Sequence, residues 1–277
     1  MRINRFISCL TVVVLLCCAE AKAQSYEEWI DSANVCIERD SLSLAENCLK
    51  KAVETEPGNA RNSLLLTHLG HIQHQQGKLE ESIQSYSLAL NYTPLDIPAL
   101  LGRAASYMEL GDEERAYVDY SNVLDKDINN KEALLLRAYI AVRKRAYDVA
   151  RADYTRLLDS DSDNADAALG LALLNQKQNR LKEATEQLSE LIRKHPENAT
   201  YLQARADVLL QRGLFDLSLL DCEEAIRIAP KDAYAYVSRA EVYLQLKRKR
   251  DARKDLDQAV QLGMDRVLLA DMYKQCR

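Results

Sequence analysis

The chain lacks every short motif that seats a common catalytic chemistry. There is no GxSxG turn to expose a nucleophilic serine, no GxxxxGK[ST] loop for phosphates, no HExxH pair for zinc and no GxGxxG turn for a dinucleotide. Acidic residues are plentiful, but they fall mostly on helix positions expected to face solvent, so neither an enzyme nor a cofactor site is expected. A basic excess is missing too: 42 acidic residues stand against 37 basic ones, which argues against a dedicated nucleic-acid binder. The apolar run from Phe6 to Cys18 is too short to cross a bilayer, which takes about 20 residues. Seven cysteines occur without a single CxxC pair, and their spacing matches no metal motif.

Residues 1–23 have the form of an export signal. Arg2 and Arg5 precede the apolar run, and Ala21-Lys22-Ala23 supplies small residues for a signal peptidase, so a mature start at Gln24 and a periplasmic or envelope location are expected. Lipidation at Cys17 or Cys18 is the alternative, weakened by the large residues Leu16 and Cys17 just before those cysteines. Arg2, Arg5, Lys22 and Glu20 lie in this leader, so 34 basic and 41 acidic residues follow it. Cys36, Cys48, Cys222 and Cys276 also follow it and read either as small buried hydrophobes or as disulfide partners.

The prolines reveal a repeat. Pro94, Pro196 and Pro230 are separated by multiples of 34 residues, and each ends an apolar helical stretch. This gives repeats at 26–59, 63–96, 97–130, 131–164, 165–198, 199–232 and 233–264. Position 8 is then Ala33, Gly70, Ala104, Ala138, Ala172, Ala206 and Ala240, and position 20 is Ala or Ser throughout. Small residues at these two positions let paired helices approach closely, and large residues at position 24 (Leu49, Tyr86, Tyr120, Tyr154, Leu188, Cys222, Leu256) fill the space beside them. Position 15 (Asp40, Gly77, Gly111, Arg145, Asn179, Gly213, Lys247) is placed at a tight turn, where five of the seven residue types tolerate a left-handed backbone. The first step is 37 residues long, so extra residues near Ala60 to Asn62 lengthen a loop or the helix after it.

Trp29, Leu69-Gly70, Tyr107, Ala45, Tyr86 and Pro57 fall where the tetratricopeptide repeat has W-x2-L-G-x2-Y, A-x3-F and P, so residues 26 to about 264 resemble that family. The resemblance implies an all-α solenoid, a right-handed superhelix of seven helical hairpins whose work is partner binding. Residues 265–277 read as a C-terminal capping helix from Arg266 to Gln275, N-capped by Asp265.

Arg at position 7 and Asp at position 23 appear and vanish together. Arg103 with Asp119, Arg137 with Asp153, Arg205 with Asp221 and Arg239 with Asp255 share four repeats, and the other three have neither. Both positions are eight residues from the turn, so an ion pair inside each of those hairpins is expected, fixing register.

Three of the four histidines, His68, His71 and His74, stand at intervals of three on one helix, a candidate metal pair or a pH-sensitive polar stripe. His71 and His74 lead into a mainly apolar groove floor of Leu101, Ala105, Met108, Leu135, Tyr139, Val142, Leu169 and Leu173, where a protein or peptide segment is the expected partner. Farther on the groove turns polar, at Gln203, Asp207 and Glu241. The Lys and Asn clamp with which some relatives hold a C-terminal carboxylate has no counterpart at Ile30, Asn34, Thr67, His71, Leu101 and Ala105. The helix-to-helix turns shift from a summed charge of −5 over the first three repeats to +9 over the last four. Arg143, Lys144, Arg145, Lys177, Arg180, Lys182, Arg212, Lys247, Arg248, Lys249 and Arg250 thus form a basic rim suited to an anionic surface or polymer, or an ordinary solvated edge.

Overall fold

The computed structural model describes residues 24–277; the leader and its candidate lipid-bearing cysteines lie outside the described residues. The described residues form fifteen helices and no strand. They are α1 (Tyr26–Glu38), α2 (Leu42–Thr55), α3 (Asn62–Gln75), α4 (Leu79–Tyr92), α5 (Ile97–Glu109), α6 (Glu113–Lys126), α7 (Lys131–Arg143) and α8 (Tyr147–Ser160). There follow α9 (Ala165–Lys177), α10 (Leu181–Lys194), α11 (Ala199–Gln211), α12 (Phe215–Ile228), α13 (Ala233–Gln245), α14 (Lys249–Gln261) and α15 (Ala270–Gln275). No helix among the described residues is long and apolar enough to cross a membrane.

Two compact units divide the chain, with the boundary between Asp119 and Tyr120 inside α6. In the N-terminal unit α1 packs on α2, α2 on α3, α3 on α4 and α4 on α5, and α3 also touches α5. In the C-terminal unit each helix from α7 to α15 packs on the next, and the first helices of successive hairpins, α7, α9, α11 and α13, touch in series.

The small residues at positions 8 and 20 make this packing possible. Ala33, Ala45, Ala104, Ala138, Ala150, Ala172, Ala184, Ala240 and Ala252 are completely buried, as is Ser218. Beside them Leu49, Tyr154, Leu188 and Leu256 fill the interior, each burial contributing about 2 kcal/mol. Each linker into a first helix from α5 onward ends on a side chain that receives that helix's free N–H groups. Asp96, Asn130, Asn164, Asn198 and Asp232 accept from Ala99, Ala133, Ala167, Thr200 and Tyr234. Ser25 closes a capping box with Glu28 on α1.

The irregular first step is shared between loop and helix. The segment between α2 and α3 is longer than the four-residue linkers elsewhere, and α3 has 14 residues where the other first helices have 13. Asn59, displaced from the helix start, accepts from the Arg61 N–H at 2.9 Å instead of capping α3.

All seven residues at position 15 are left-handed, including the two whose side chains disfavour it. Arg145 and Lys247 have φ of 60°, the same as Asn179, and Asp40 has 54°; the glycines Gly77, Gly111 and Gly213 lie at 72°, 77° and 73°. The three-residue turn between antiparallel helices dictates the conformation whatever the residue, at a cost of about 1 kcal/mol for a side chain with a Cβ.

The C-terminal helix is shorter than the sequence suggests. It spans only Ala270–Gln275, and residues 266–269 are turns. Asp265 accepts from Val267 N–H at 2.8 Å, two residues on, which fixes a turn rather than the helix start. The turn is favoured because it drives Leu269 (4% exposed) into a cluster with Ala240, Tyr243, Leu256 and Ala259.

Candidate partner-binding site

In the C-terminal unit, Leu135, Tyr139 and Val142 of α7 and Leu169 and Leu173 of α9 line one open apolar cleft of about 400 Å³. The seven-residue span from Leu135 to Val142 is two helical turns, so these side chains share the face that α7 turns toward α9. Tyr139 is 45% exposed although its ring is apolar, while Leu135, Val142, Leu169 and Leu173 are half-buried. The cleft has a charge polarity along its length. Asp166 stands near the start of α9, and Arg143 and Lys177 end α7 and α9. Arg143 also lies over the Tyr139 ring, 5.9 Å from its centroid, and donates to its hydroxyl at 3.3 Å.

The sequence shows Tyr154 only as a filler beside the small positions, and Gly170 is not singled out there at all, yet both line the cleft. Tyr154 of α8 forms the inner wall, and Gly170 of α9 gives it room. A Cβ on Gly170 would fall 2.5 Å from Tyr154 Cζ and 2.8 Å from its hydroxyl oxygen. The same fit occurs in the N-terminal unit, where the Tyr86 ring occupies the space a Gly102 side chain would need. The signal was a helix-interior glycine 16 residues after a position-24 tyrosine, seen twice.

In the N-terminal unit Leu101, Ala105 and Met108 are half-buried along α5. The three histidines of α3 go separate ways. His74 Nε2 faces Glu109 Oε1 of α5 at 3.0 Å, His71 Nε2 is 3.1 Å from the Gln75 amide nitrogen, and desolvation, with His71 nearby, holds His68 below the usual imidazole range. No group of three or more His, Cys, Asp or Glu among the described residues is placed to hold a metal. Asp207 of α11 has its carboxyl pushed up to about 6, first by burial and then by Glu241, with Ser238 pulling the other way.

The four Arg and Asp pairs are forked. In each, the guanidinium presents Nε and Nη2 to the two carboxylate oxygens, at 2.7 to 2.8 Å. The carboxylates are buried and the arginine side chains about one-fifth exposed. In three of the four the free nitrogen Nη1 reaches back to the preceding repeat, donating from Arg103 to Ser87, Arg137 to Ser121 and Arg205 to Ser189 at 3.0 to 3.3 Å. The pairs therefore tie a hairpin to its neighbour as well as closing it. Two of the three hairpins without the fork instead link position 23 to position 11. Ser85 donates to Gln73 at 2.6 Å, and Asn175 donates to Gln187 at 2.8 Å. The Gln73 amide continues to Glu46, which also receives Lys50 and Lys78 at 2.7 Å. Burial would raise the Glu46 carboxyl, but these donors win and lower it to about 2.

The rim residues Arg143, Lys144, Arg145, Lys177, Arg180, Lys182, Lys247, Arg248, Lys249 and Arg250 are exposed at hairpin turns of the C-terminal unit, and Arg212 is half-buried. Arg248 stacks on Tyr243 at 4.4 Å and pairs with Asp251 at 2.9 Å, while Arg212 donates to Thr185 at 2.9 Å. Cys36, Cys48 and Cys276 are half-buried free thiols, and Cys222 is buried, its thiol pushed up to about 12 by burial.

A family model described as tetratricopeptide repeat matches residues 135–187 and 169–233, and a second of the same description matches 65–94 and 233–262. No curated protein matches the chain. Among solved structures, a tetratricopeptide repeat protein from Parabacteroides merdae is 31% identical, covering 92% of this chain and 99% of that one at a TM-score of 0.71. MamA (19% identical, 64% of this chain and 96% of that one, TM-score 0.59) shares the fold. So does YrrB, described as having an unusual peptide-binding site (20% identical, 68% and 97%, TM-score 0.53). Such folds are scaffolds for protein interaction. Identity at the level of the Parabacteroides protein, sustained over nearly the whole length, places the chain in the tetratricopeptide repeat family.

Proposed function

We propose that this protein grips an extended or helical segment of a partner protein in the cleft between α7 and α9. The observation that carries this is Tyr139, an aromatic left 45% exposed over an apolar floor and held upright by Arg143. The ligand that suits the cleft has one or two large apolar side chains, with a basic group toward Asp166 and an acidic group toward Arg143 and Lys177. A peptide-binding site described for YrrB supports the reading by analogy of fold. The export leader read in residues 1–23 would put this activity in the cell envelope.

Selection from a displayed peptide library tests it. Selected peptides should share that charge order around an apolar anchor, and Leu135→Asp with Tyr139→Asp should weaken them at least about tenfold, the loss of about 1.4 kcal/mol. Selection of no peptide, or of peptides insensitive to these changes, would overturn the reading.

A second reading rests on the exposure of the rim cations in the C-terminal unit. Contact with an anionic surface would show as binding to acidic vesicles that falls steeply with salt and with charge reversal at Lys249 and Arg250. Salt-insensitive binding would dismiss it.

A further inference from the structure

The first hairpin is the one whose gap between positions 11 and 23 holds two cysteines. Cys36 of α1 and Cys48 of α2 occupy the positions that Gln73 and Ser85 occupy in the second hairpin and Asn175 and Gln187 in the fifth. In those hairpins the paired side chains are in direct hydrogen-bond contact, at 2.6 and 2.8 Å. The backbone register is the same in all three. Each turn is left-handed at its middle residue, with φ of 54° at Asp40, 72° at Gly77 and 60° at Asn179. Residues 36 and 48 therefore face each other across the hairpin. Burial first, and the Cys36 thiol second, push the Cys48 thiol above its ordinary range, as expected for close neighbours. Both side chains are half-buried, so a small oxidant reaches them, whereas Cys222 is buried.

We propose that Cys36 and Cys48 are a disulfide site that staples α1 to α2. The first hairpin has neither the Arg and Asp fork nor the side-chain hydrogen bond that the second and fifth make between positions 11 and 23, and a thiol is a weak hydrogen-bond donor, so reduced cysteines leave it without a strong polar tie. The oxidant is a disulfide, small or protein-borne. One cysteine, having lost its proton to solvent, attacks a sulfur of the oxidant, breaking that bond and releasing one thiol. The other cysteine, also deprotonated, attacks the protein sulfur of the mixed disulfide, forming the Cys36 to Cys48 bond and expelling the second thiol. Two protein thiols are oxidised and one oxidant disulfide is reduced to two thiols. Because the raised Cys48 thiol is rarely ionised near neutrality, closure is slow, which suits a structural bond better than a catalytic one.

The full chain, reduced and then equilibrated in a buffer of oxidised and reduced glutathione, is digested with trypsin. Cleavage after Arg39 separates the two cysteines, so a linked pair of peptides, one ending at Arg39 and the other running from Asp40 to Lys50, reports the bond. The expected result is that linked pair, with amide exchange in α1 and α2 slowed on the order of 100-fold by closing so short a loop. Cys48→Ser should leave Cys36 carrying glutathione and abolish the slowing. Recovery of Cys36 and Cys48 as free thiols in the oxidising buffer, as separate glutathione adducts, or bonded to other cysteines would overturn the proposal. A linked pair with unchanged exchange would overturn the staple.

Discussion

Replacing Gly170 with alanine sets two effects of opposite sign against each other. Gly170 lies inside α9, where alanine is more favourable by about 1 kcal/mol on helix propensity. Its added Cβ, however, would meet Tyr154 at 2.5 to 2.8 Å across three atoms of the ring end. Tyr154 is 4% exposed and cannot swing away freely, so the clash should cost about 1–3 kcal/mol in displaced side chains. The net expectation is destabilisation of up to about 2 kcal/mol, with Tyr154 pushed into the cleft it lines and peptide binding weakened. Urea unfolding of four proteins measures this: the parent, Gly170→Ala, Tyr154→Leu and the double variant. Leucine already occupies the position of Tyr154 in three other repeats, at Leu49, Leu188 and Leu256, so the Tyr154→Leu background should accept alanine and gain up to about 1 kcal/mol from it. The sign of the alanine substitution should thus reverse between backgrounds, a coupling of about 1–3 kcal/mol. If Gly170→Ala stabilises the parent, or the coupling is below about 0.5 kcal/mol, the steric account is wrong.

Three further outcomes are expected. Glu46, held at about 2 in the folded chain against an ordinary 4.5, contributes stability that is complete above about pH 4.5 and drains away as pH falls toward 2. Glu46→Gln should flatten thermal stability across that window, by about 2 kcal/mol at most because Lys50 and Lys78 are partly in solvent. Arg205→Leu strands the buried Asp221 carboxylate and should cost about 3–5 kcal/mol in denaturant unfolding, whereas Arg205→Leu with Asp221→Leu should recover most of that. Arg145→Gly and Lys247→Gly should each raise the unfolding free energy measured in urea, by up to about 1 kcal/mol, by relieving a left-handed side chain; the same change at the right-handed Lys144 should lower it.

Much of the fold was legible because its determinants are periodic. A stack of like hairpins places the same packing problem every 34 residues, so the small residues at positions 8 and 20 align by inspection. The Arg and Asp pairs were legible for a related reason, since two charges that must neutralise each other are present or absent together. What stayed hidden was whatever a side chain does with a partner outside its own period. The back-bond from Arg103 to Ser87 joins two repeats and involves a serine that could as well be solvated. Gly102 and Gly170 look like weaknesses in their helices until the neighbouring tyrosine ring is seen to need the space. At Arg145 and Lys247, residue preference pointed one way and the three-residue turn imposed the other. The final helix was misplaced because an Asp before a helix-favouring stretch can fix either a helix start or a turn, and the burial of Leu269 decides between them.

The forked arginines also set where the C-terminal unit can yield. Arg137, Arg205 and Arg239 close the hairpins α7–α8, α11–α12 and α13–α14, while the α9–α10 hairpin has Leu171 and Gln187 in their place. Beside its buried core, the polar tie across that hairpin is one neutral amide contact from Asn175 to Gln187, which is easier to break and remake than a two-pronged ion pair, while Arg151 of α8 donates to Asn175 at 2.7 Å and holds α9 to the preceding hairpin. It is also the hairpin whose α9 supplies one wall of the cleft. Compliance and contact thus fall on the same hairpin: under load, or when a bulky side chain enters, the pairing of α9 with α10 should yield first, while the riveted hairpins on either side keep their shape.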